Sequence, residues 1–158
     1  MRDIPFDINL RLIHAFEGKN GTFEATRQQD PGGLWEIGWS HRLTGPEDPD
    51  WDATYDAARA DAVARLDLTR AASGVCEAVG AAISDLNDGQ YAALIDFTYN
   101  VGTGVFLQST LCRLVVAGNH VQAALEFPKW VYGKVNGVET ILPGLVRRRK
   151  AELDCWTI

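Results

Sequence analysis

Cysteine is scarce: the chain has three, Cys76, Cys112 and Cys155, far apart and with no C-x-x-C pair. An odd count at such spacing excludes a disulfide framework as the organising device and fits reduced, buried thiols. No Cys/His grouping has the spacing of a zinc site, so no metal is expected, and nothing in the chain implies a cofactor. Basic charge is also in deficit, with 15 Lys and Arg against 21 Asp and Glu and a net charge of −6. Binding held through phosphates draws on basic counter-charges, so no nucleic-acid partner is expected. Long apolar runs are missing too. No stretch approaches a membrane span, and the start, Met1-Arg2-Asp3-Ile4-Pro5-Phe6-Asp7, lacks the apolar region of a signal peptide. There is no internal repeat, low-complexity segment or linker. With 158 residues, 46% of them hydrophobic, the expectation is one domain over 1–158 with a full core, acting as a monomer. A G-x-S-x-G elbow and a P-loop are likewise absent, and no cysteine has a neighbouring histidine that would mark a nucleophile.

What the chain does have is acids at telling places. Asp7 offers an N-cap, and Leu10, Leu12, Ile13 and Phe16 recur at helical spacing until Gly18 supplies the stop. Glu17 then falls in the last turn, at the negative end of the helix dipole, where a carboxyl is expected to keep its proton more readily. A solvated helix-end glutamate is the plain alternative. Residues 19–33 are polar and Gly-rich, punctuated by the turn Asp30-Pro31-Gly32-Gly33 with Pro31 set for its second position. Asp30 heads that turn, which local turn chemistry alone would also explain. Leu34 to His41 reads as a strand, with Trp35, Ile37 and Trp39 on one face and Leu34, Glu36, Gly38 and Ser40 on the other. Glu36 thus points away from the tryptophans, and Gly38 is expected to leave room beside it for a ligand. His41, on the tryptophan side, is expected to bond the end of the first helix or a nearby acid rather than to act in catalysis.

From Asp52 or Thr54 a long helix is expected to run to near Gly80, and Asp85-Leu86-Asn87-Asp88 caps the next, in which Tyr91, Leu94, Ile95 and Tyr99 recur. Its end, Tyr99-Asn100 beside Gly102-Thr103-Gly104, puts an aromatic ring next to an amide, a pair suited to hold a sugar. Gln108 to Ala117 and Asn119 to Phe127 read as short helices, Val135-Asn136-Gly137-Val138 as a two-residue hairpin, and Pro143 to Cys155 as the last helix. Most of Arg147-Arg148-Arg149-Lys150 should be a solvated face, with one arginine reaching an acid or a substrate carboxylate. The fold class is α+β: a small β lobe at about residues 18–45, a larger helical lobe, and a long central helix joining them beside a cleft.

Two carboxylates across a cleft, one protonated and one ionised, meet the requirement for cleaving a glycosidic bond. Glu17 suits the acid and Asp30, in a turn rich in N–H donors, the base. Phe16-Glu17-Gly18 followed by Asp30-Pro31-Gly32-Gly33-Leu34-Trp35-x-Ile37-Gly38-x-x-His41 resembles the N-terminal signature of the phage-type lysozymes, the endolysins of glycoside hydrolase family twenty-four. Gln90-x-Ala92-Ala93-Leu94-x-x-Phe97-x-Tyr99-Asn100-x-Gly102 and Pro143-Gly144-Leu145-x-x-Arg148-Arg149-x-x-Glu152 are similar to that family's helical-lobe motifs.

The resemblance implies a lysozyme-like fold that hydrolyses the β-1,4 bond between N-acetylmuramic acid and N-acetylglucosamine in peptidoglycan, causing host cell lysis. It implies Glu17 as general acid, Asp30 as second catalytic carboxylate and Tyr99 and Asn100 in the saccharide groove. It also implies a protein held in the host cytoplasm until released to the wall. Two departures from the family pattern bear on mechanism. Asp30 follows Glu17 by 13 positions, a longer spacing than the family usually has, and Glu36 stands where the family usually has threonine. An inverting reaction with Asp30 needs carboxyls roughly 6.5–9.5 Å apart, whereas Glu36 at about 5–5.5 Å from Glu17 would act as a nucleophile and retain configuration. Both routes are open on the sequence, with Glu36 expected in the site as base or nucleophile. A non-catalytic peptidoglycan-binding module and a lytic transglycosylase are the competing readings.

Overall fold

The computed structural model describes residues 2–19, 21–30 and 32–157. The position of Pro31 in its turn therefore lies outside the described residues. The protein is α+β and divides into two compact units, Leu10–Asp67 and Met1–Asn9 with Leu68–Ile158.

In the unit Leu10–Asp67, the helix α1 (Phe6–Phe16) ends where expected, and the Glu17 N–H donates to the Ile13 carbonyl at 2.8 Å. Three antiparallel strands follow, β1 (Glu24–Gln29), β2 (Trp35–Gly38) and β3 (His41–Arg42), in that order across the sheet. Strand β1 corrects the expectation of a polar turn over residues 19–33. Its sequence, Glu-Ala-Thr-Arg-Gln-Gln, has no apolar alternation because neither face is fully buried, so the ladder to β2 alone makes it a strand. The expected strand Leu34–His41 is also shorter: positive φ at Gly38 (65°) and Ser40 (62°) bends the chain through Trp39 and Ser40 into β3. Ile37, Trp39, Leu43, Tyr55 and Ala60 are buried in this unit.

Helix α2 (Ala57–Val79) continues from one unit into the other, and a six-residue 3₁₀ stretch follows over Gly80–Asp85. The second unit holds α3 (Asp88–Val101), α4 (Thr103–Gln108), α5 (Thr110–Val116), α6 (His120–Ala124), the hairpin β4 (Tyr132–Val135) and β5 (Val138–Ile141), and α7 (Pro143–Trp156). Helix α3 opens on a reciprocal cap between Asn87 and Gln90, and from Tyr91 to Thr98 it is buried. The helix expected from Gln108 begins instead as α5, because the Ser109 hydroxyl accepts the Cys112 N–H at 3.0 Å and caps a new start. Asn136 and Gly137 take φ of 50° and 78°, the two left-handed positions that a two-residue hairpin needs. Helix α7 runs so close to the start of α3 that a Cβ on Gly89 would lie 2.1 Å from the Cys155 carbonyl oxygen. No helix among the described residues is long and apolar enough to cross a membrane.

Buried charge holds this second unit together. The Arg148 guanidinium grips the fully buried Asp96 carboxylate through two bonds of 2.9 and 3.0 Å, and Arg149 lies 2.8 Å from Glu152 and 4.9 Å over the Phe97 ring. The expectation of a mostly solvated arginine run is thus half right: Arg147 and Lys150 are exposed, Arg148 and Arg149 are not. Burial pushes the Asp96 carboxyl up, but Arg148 outweighs it and holds the group below its ordinary value. Burial, then the charge of Asp96, raises Glu152 well above its own. The Asp96 contribution is therefore fully present above the ordinary carboxyl range and is lost as pH falls through its lowered value. Arg148→Ala leaves a buried carboxylate without its partner and is expected to cost about 3–5 kcal/mol in urea unfolding, against less than about 0.5 kcal/mol for the exposed Lys150→Ala.

Candidate active site

The site grows from the end of α1. Gly18 takes φ of +70°, and a Cβ there would lie 2.2 Å from the Thr22 carbonyl oxygen, so only glycine allows the chain to fold back at once. The return is closed by paired bonds between Lys19 and Thr22, of 2.9 and 3.1 Å. Glu17, half-buried, is therefore fixed at the turn where the helix meets the sheet. The last turn of α1 is itself held: His14 Nε2 lies 2.9 Å from Asp61 Oδ1, the same oxygen accepts the Trp39 indole N–H at 2.8 Å, and the His14 and Trp39 rings stack at 4.5 Å.

Asp30 is placed by its own turn. Its Oδ1 accepts the Leu34 N–H at 2.8 Å, its carbonyl accepts Gly33 N–H at 2.9 Å, and its Oδ2 stands 3.7 Å from Arg42 Nη2. Glu36 sits in the middle strand with Gln28 opposite it on β1 and Arg42 opposite it on β3. A polar cavity of about 380 Å³ is lined by Gly18, Lys19, Glu24, Gln28, Gln29, Asp30 and Glu36. Glu36 is the carboxyl that the surroundings perturb. Burial raises its pKa, the charges of Glu17 and Asp30 raise it further, Arg42 pulls it back and Glu24 adds a smaller push. The charges of Glu17 and Asp30, far apart in the sequence, thus both act on Glu36.

The other expected site residues have surroundings of their own. Gly38 does not open space for a ligand: a Cβ there would meet the Tyr55 ring at 3.0 and 3.1 Å, so the missing side chain serves packing. Ser40 lies in the turn after β2 and does not continue the Glu36 face. His41 Nδ1 bonds Asp67 Oδ2 at 2.7 Å, a pairing that ties β3 to α2. Tyr99, half-buried, and the exposed Asn100 end α3 in the second unit, where Asn100 Oδ1 accepts from Arg149 Nη2 at 2.8 Å. Arg148 is buried on Asp96 within the second unit. Lys19, Glu24, Gln28 and Arg42 had no role in the sequence reading. Register alone brings Gln28 and Arg42 beside Glu36, and register is invisible before the strands are paired. Among the described residues no group of three His, Cys, Asp or Glu side chains is placed to hold a metal ion.

The family model described as phage lysozyme matches residues 15–152 of this chain. The chain belongs to the phage lysozyme family. It is 31% identical over 143 residues to the endolysin of Bacillus phage PZA, covering 90% of this chain and 51% of that protein. It is 43% identical over 67 residues to the endolysin of Acyrthosiphon pisum secondary endosymbiont phage 1, covering 42% of this chain and 46% of that one. The chain spans about half the length of these curated relatives. The muramidase domain of SpmX from Asticaccaulis excentricus superposes with a TM-score of 0.79 at 31% identity, over 95% of each chain. The endolysin from Escherichia coli O157:H7 phage FAHEc1 does so with a TM-score of 0.78 at 26% identity, over 94% of this chain and 90% of that one. The α+β architecture of this phage lysozyme family member is accordingly lysozyme-like.

The acid cluster has a thermodynamic signature. Because the Glu36 pKa is raised on folding, the folded state favours its protonated form, and the ionised form brings a cost that grows as pH rises through the raised value. Glu36→Gln should therefore raise Tm by a few degrees at pH 7 and by nothing below the ordinary carboxyl range, read by calorimetry at both pH values. An equal shift at both would mean that the carboxylate is not under strain.

Proposed function

We propose that this chain is an endolysin-type muramidase, a glycosidase that hydrolyses the β-1,4 bond between N-acetylmuramic acid and N-acetylglucosamine in peptidoglycan and so lyses the host cell. The observation that carries the proposal is the action of the Glu17 and Asp30 charges on Glu36, which lines a polar cavity with Asp30, in a member of the phage lysozyme family. Glycoside hydrolysis needs an acid to protonate the leaving oxygen and a second carboxylate to steady positive charge at the anomeric carbon or to activate water.

In this reading Glu17 delivers the proton to the glycosidic oxygen. Asp30, anchored by the Leu34 N–H and facing Arg42, is held as a fixed anion beneath the developing oxocarbenium charge. Glu36, for which no hydrogen bond to its carboxyl is seen among the described residues, is the carboxylate with freedom to take a proton from water or to attack carbon. Tyr99 and Asn100 are assigned saccharide contacts, with the Asn100 amide oxygen spent on Arg149 and its N–H groups left to donate. The protein acts as a monomer on glycan strands, without cofactor or nucleic acid, after release from the host cytoplasm to the wall. Its net charge of −6 gives no long-range attraction to an anionic wall, so adhesion rests on groove contacts.

Turbidity of chloroform-treated Gram-negative cells should fall on adding the protein and stay constant with Glu17→Gln, whose unfolding midpoint matches the wild type. Mass spectrometry of the digest should give reducing muramic ends. Anhydro-muramic ends would make the enzyme a lytic transglycosylase, and binding without any drop in turbidity would make it a non-catalytic wall-binding module. The anomer released by wild type and by Glu36→Thr reads the second carboxylate: a change of stereochemistry or a loss of about 10²-fold or more in rate assigns it to Glu36, and no change removes Glu36 from the chemistry.

A further inference from the structure

Strand register places three side chains in one row on one face of the sheet. Gln28 on β1, Glu36 on β2 and Arg42 on β3 are successive cross-strand partners, the geometry in which neighbouring Cβ atoms come within about 5 Å. Arg42 is half exposed, and its guanidinium reaches sideways to Asp30 Oδ2 at 3.7 Å. The charged groups that face Glu36 are Glu17 from the end of α1, Glu24 on β1, Asp30 beyond β1 and Arg42 on β3, with Lys19 on the wall of the same cavity. Four of these with Glu36 itself are carboxyls, and Arg42 is the cation that opposes them at Glu36.

As a contribution to stability this contact counts for little. A solvent-exposed pair 3.7 Å apart is worth between nothing and about 1 kcal/mol. Its effect on Glu36 is another matter, because a cation beside a crowded carboxyl favours the ionised form. Asp30 adds a geometric side: with Oδ1 committed to the Leu34 N–H, the second oxygen is oriented by whatever it faces, and it faces Arg42.

We propose that Arg42 is a positioning residue of the catalytic site: it orients Asp30 and, from directly across the ladder, sets beside Glu36 the positive charge that offsets the surrounding carboxyls when glycan enters. The proposal rests on the muramidase reading for its catalytic meaning, while the charge coupling it describes is a property of the free protein. Arg42 lies on a two-residue strand at the sheet edge with its side chain half in solvent, so substitution leaves the core untouched.

The test compares wild type, Arg42→Gln and Arg42→Lys by two readouts. Carbon-13 NMR titration follows the Glu36 carboxyl, assigned with Glu36→Gln, and kcat/KM against pH is measured on solubilised peptidoglycan. In Arg42→Gln the Glu36 midpoint should move to higher pH, since the cation that favours its ionised form is gone. With Glu36 acting ionised, the acid limb of kcat/KM should move the same way, with a loss of up to roughly 10²-fold on that limb. The thermal midpoint should stay within a degree or two, and Arg42→Lys should restore both titration and profile in large part. An unmoved Glu36 midpoint in Arg42→Gln overturns the proposal, as does a rate loss that is uniform in pH and not recovered by lysine. A wild-type protein that titrates as described but cleaves no peptidoglycan defeats the muramidase reading instead, so the two failures are told apart.

Discussion

One oxygen atom of Asp61 joins three elements: it accepts the Trp39 indole N–H at 2.8 Å from the turn after β2 and lies 2.9 Å from His14 Nε2 in the last turn of α1. Asp61 itself belongs to α2, so helix end, sheet turn and long helix meet at one carboxylate, with the His14 and Trp39 rings stacked above it. His41 repeats the device one turn and a half further along α2, at Asp67. These bonds fix the direction in which α1 delivers Glu17 toward the sheet. Without them the fold-back at Gly18 would have no rigid partner to fold against, and the acids at 17, 30 and 36 would not face one another.

The two units use carboxylates in opposite ways. Asp96 is buried completely, yet its pKa falls because Arg148 supplies a bidentate partner; the charge is then structural and closed to any ligand. Glu36 is only half-buried, yet its pKa rises, because after burial the next largest influences are two further acids. Elementary electrostatics separates the two: the cation beside Asp96 favours its ionised form, and the acids around Glu36 disfavour its own. The same contrast separates the arginines. Arg148 and Arg149 are spent inside the second unit, while Arg42 stays at the surface of the first, within reach of its acids.

Glu36 carries the main chemical consequence. Placed in the middle strand between Gln28 and Arg42, it cannot turn away from the cavity without breaking the alternation of β2, whose next residue Ile37 is buried on the opposite face. A third acid at this point adds repulsion to the pair Glu17 and Asp30, and in the proposed function it is also the carboxylate free to act on water or carbon. Between Glu17 and Asp30 the chain forms β1, whose pairing with β2 is irregular between Glu24 and Gln28.

Much of this protein was legible in its sequence. The period of Leu10, Ile13 and Phe16 with the stop at Gly18, the Asn-Gly hairpin at 136–137, and Pro143 opening the last helix are local signals, and each element forms within a residue or two of where its signal stands. The local settings of Glu17 at a helix end, Asp30 at the head of its turn and Glu36 in a strand were legible as well, from cap, turn and alternation signals. Tertiary structure alone decided what those residues touch. A polar strand such as β1 carries no pattern of its own, the pairing of Glu36 with Gln28 and Arg42 follows from a register that a shift of one residue would reverse, and the space beside Gly38 went to Tyr55 because packing, not composition, fills a core.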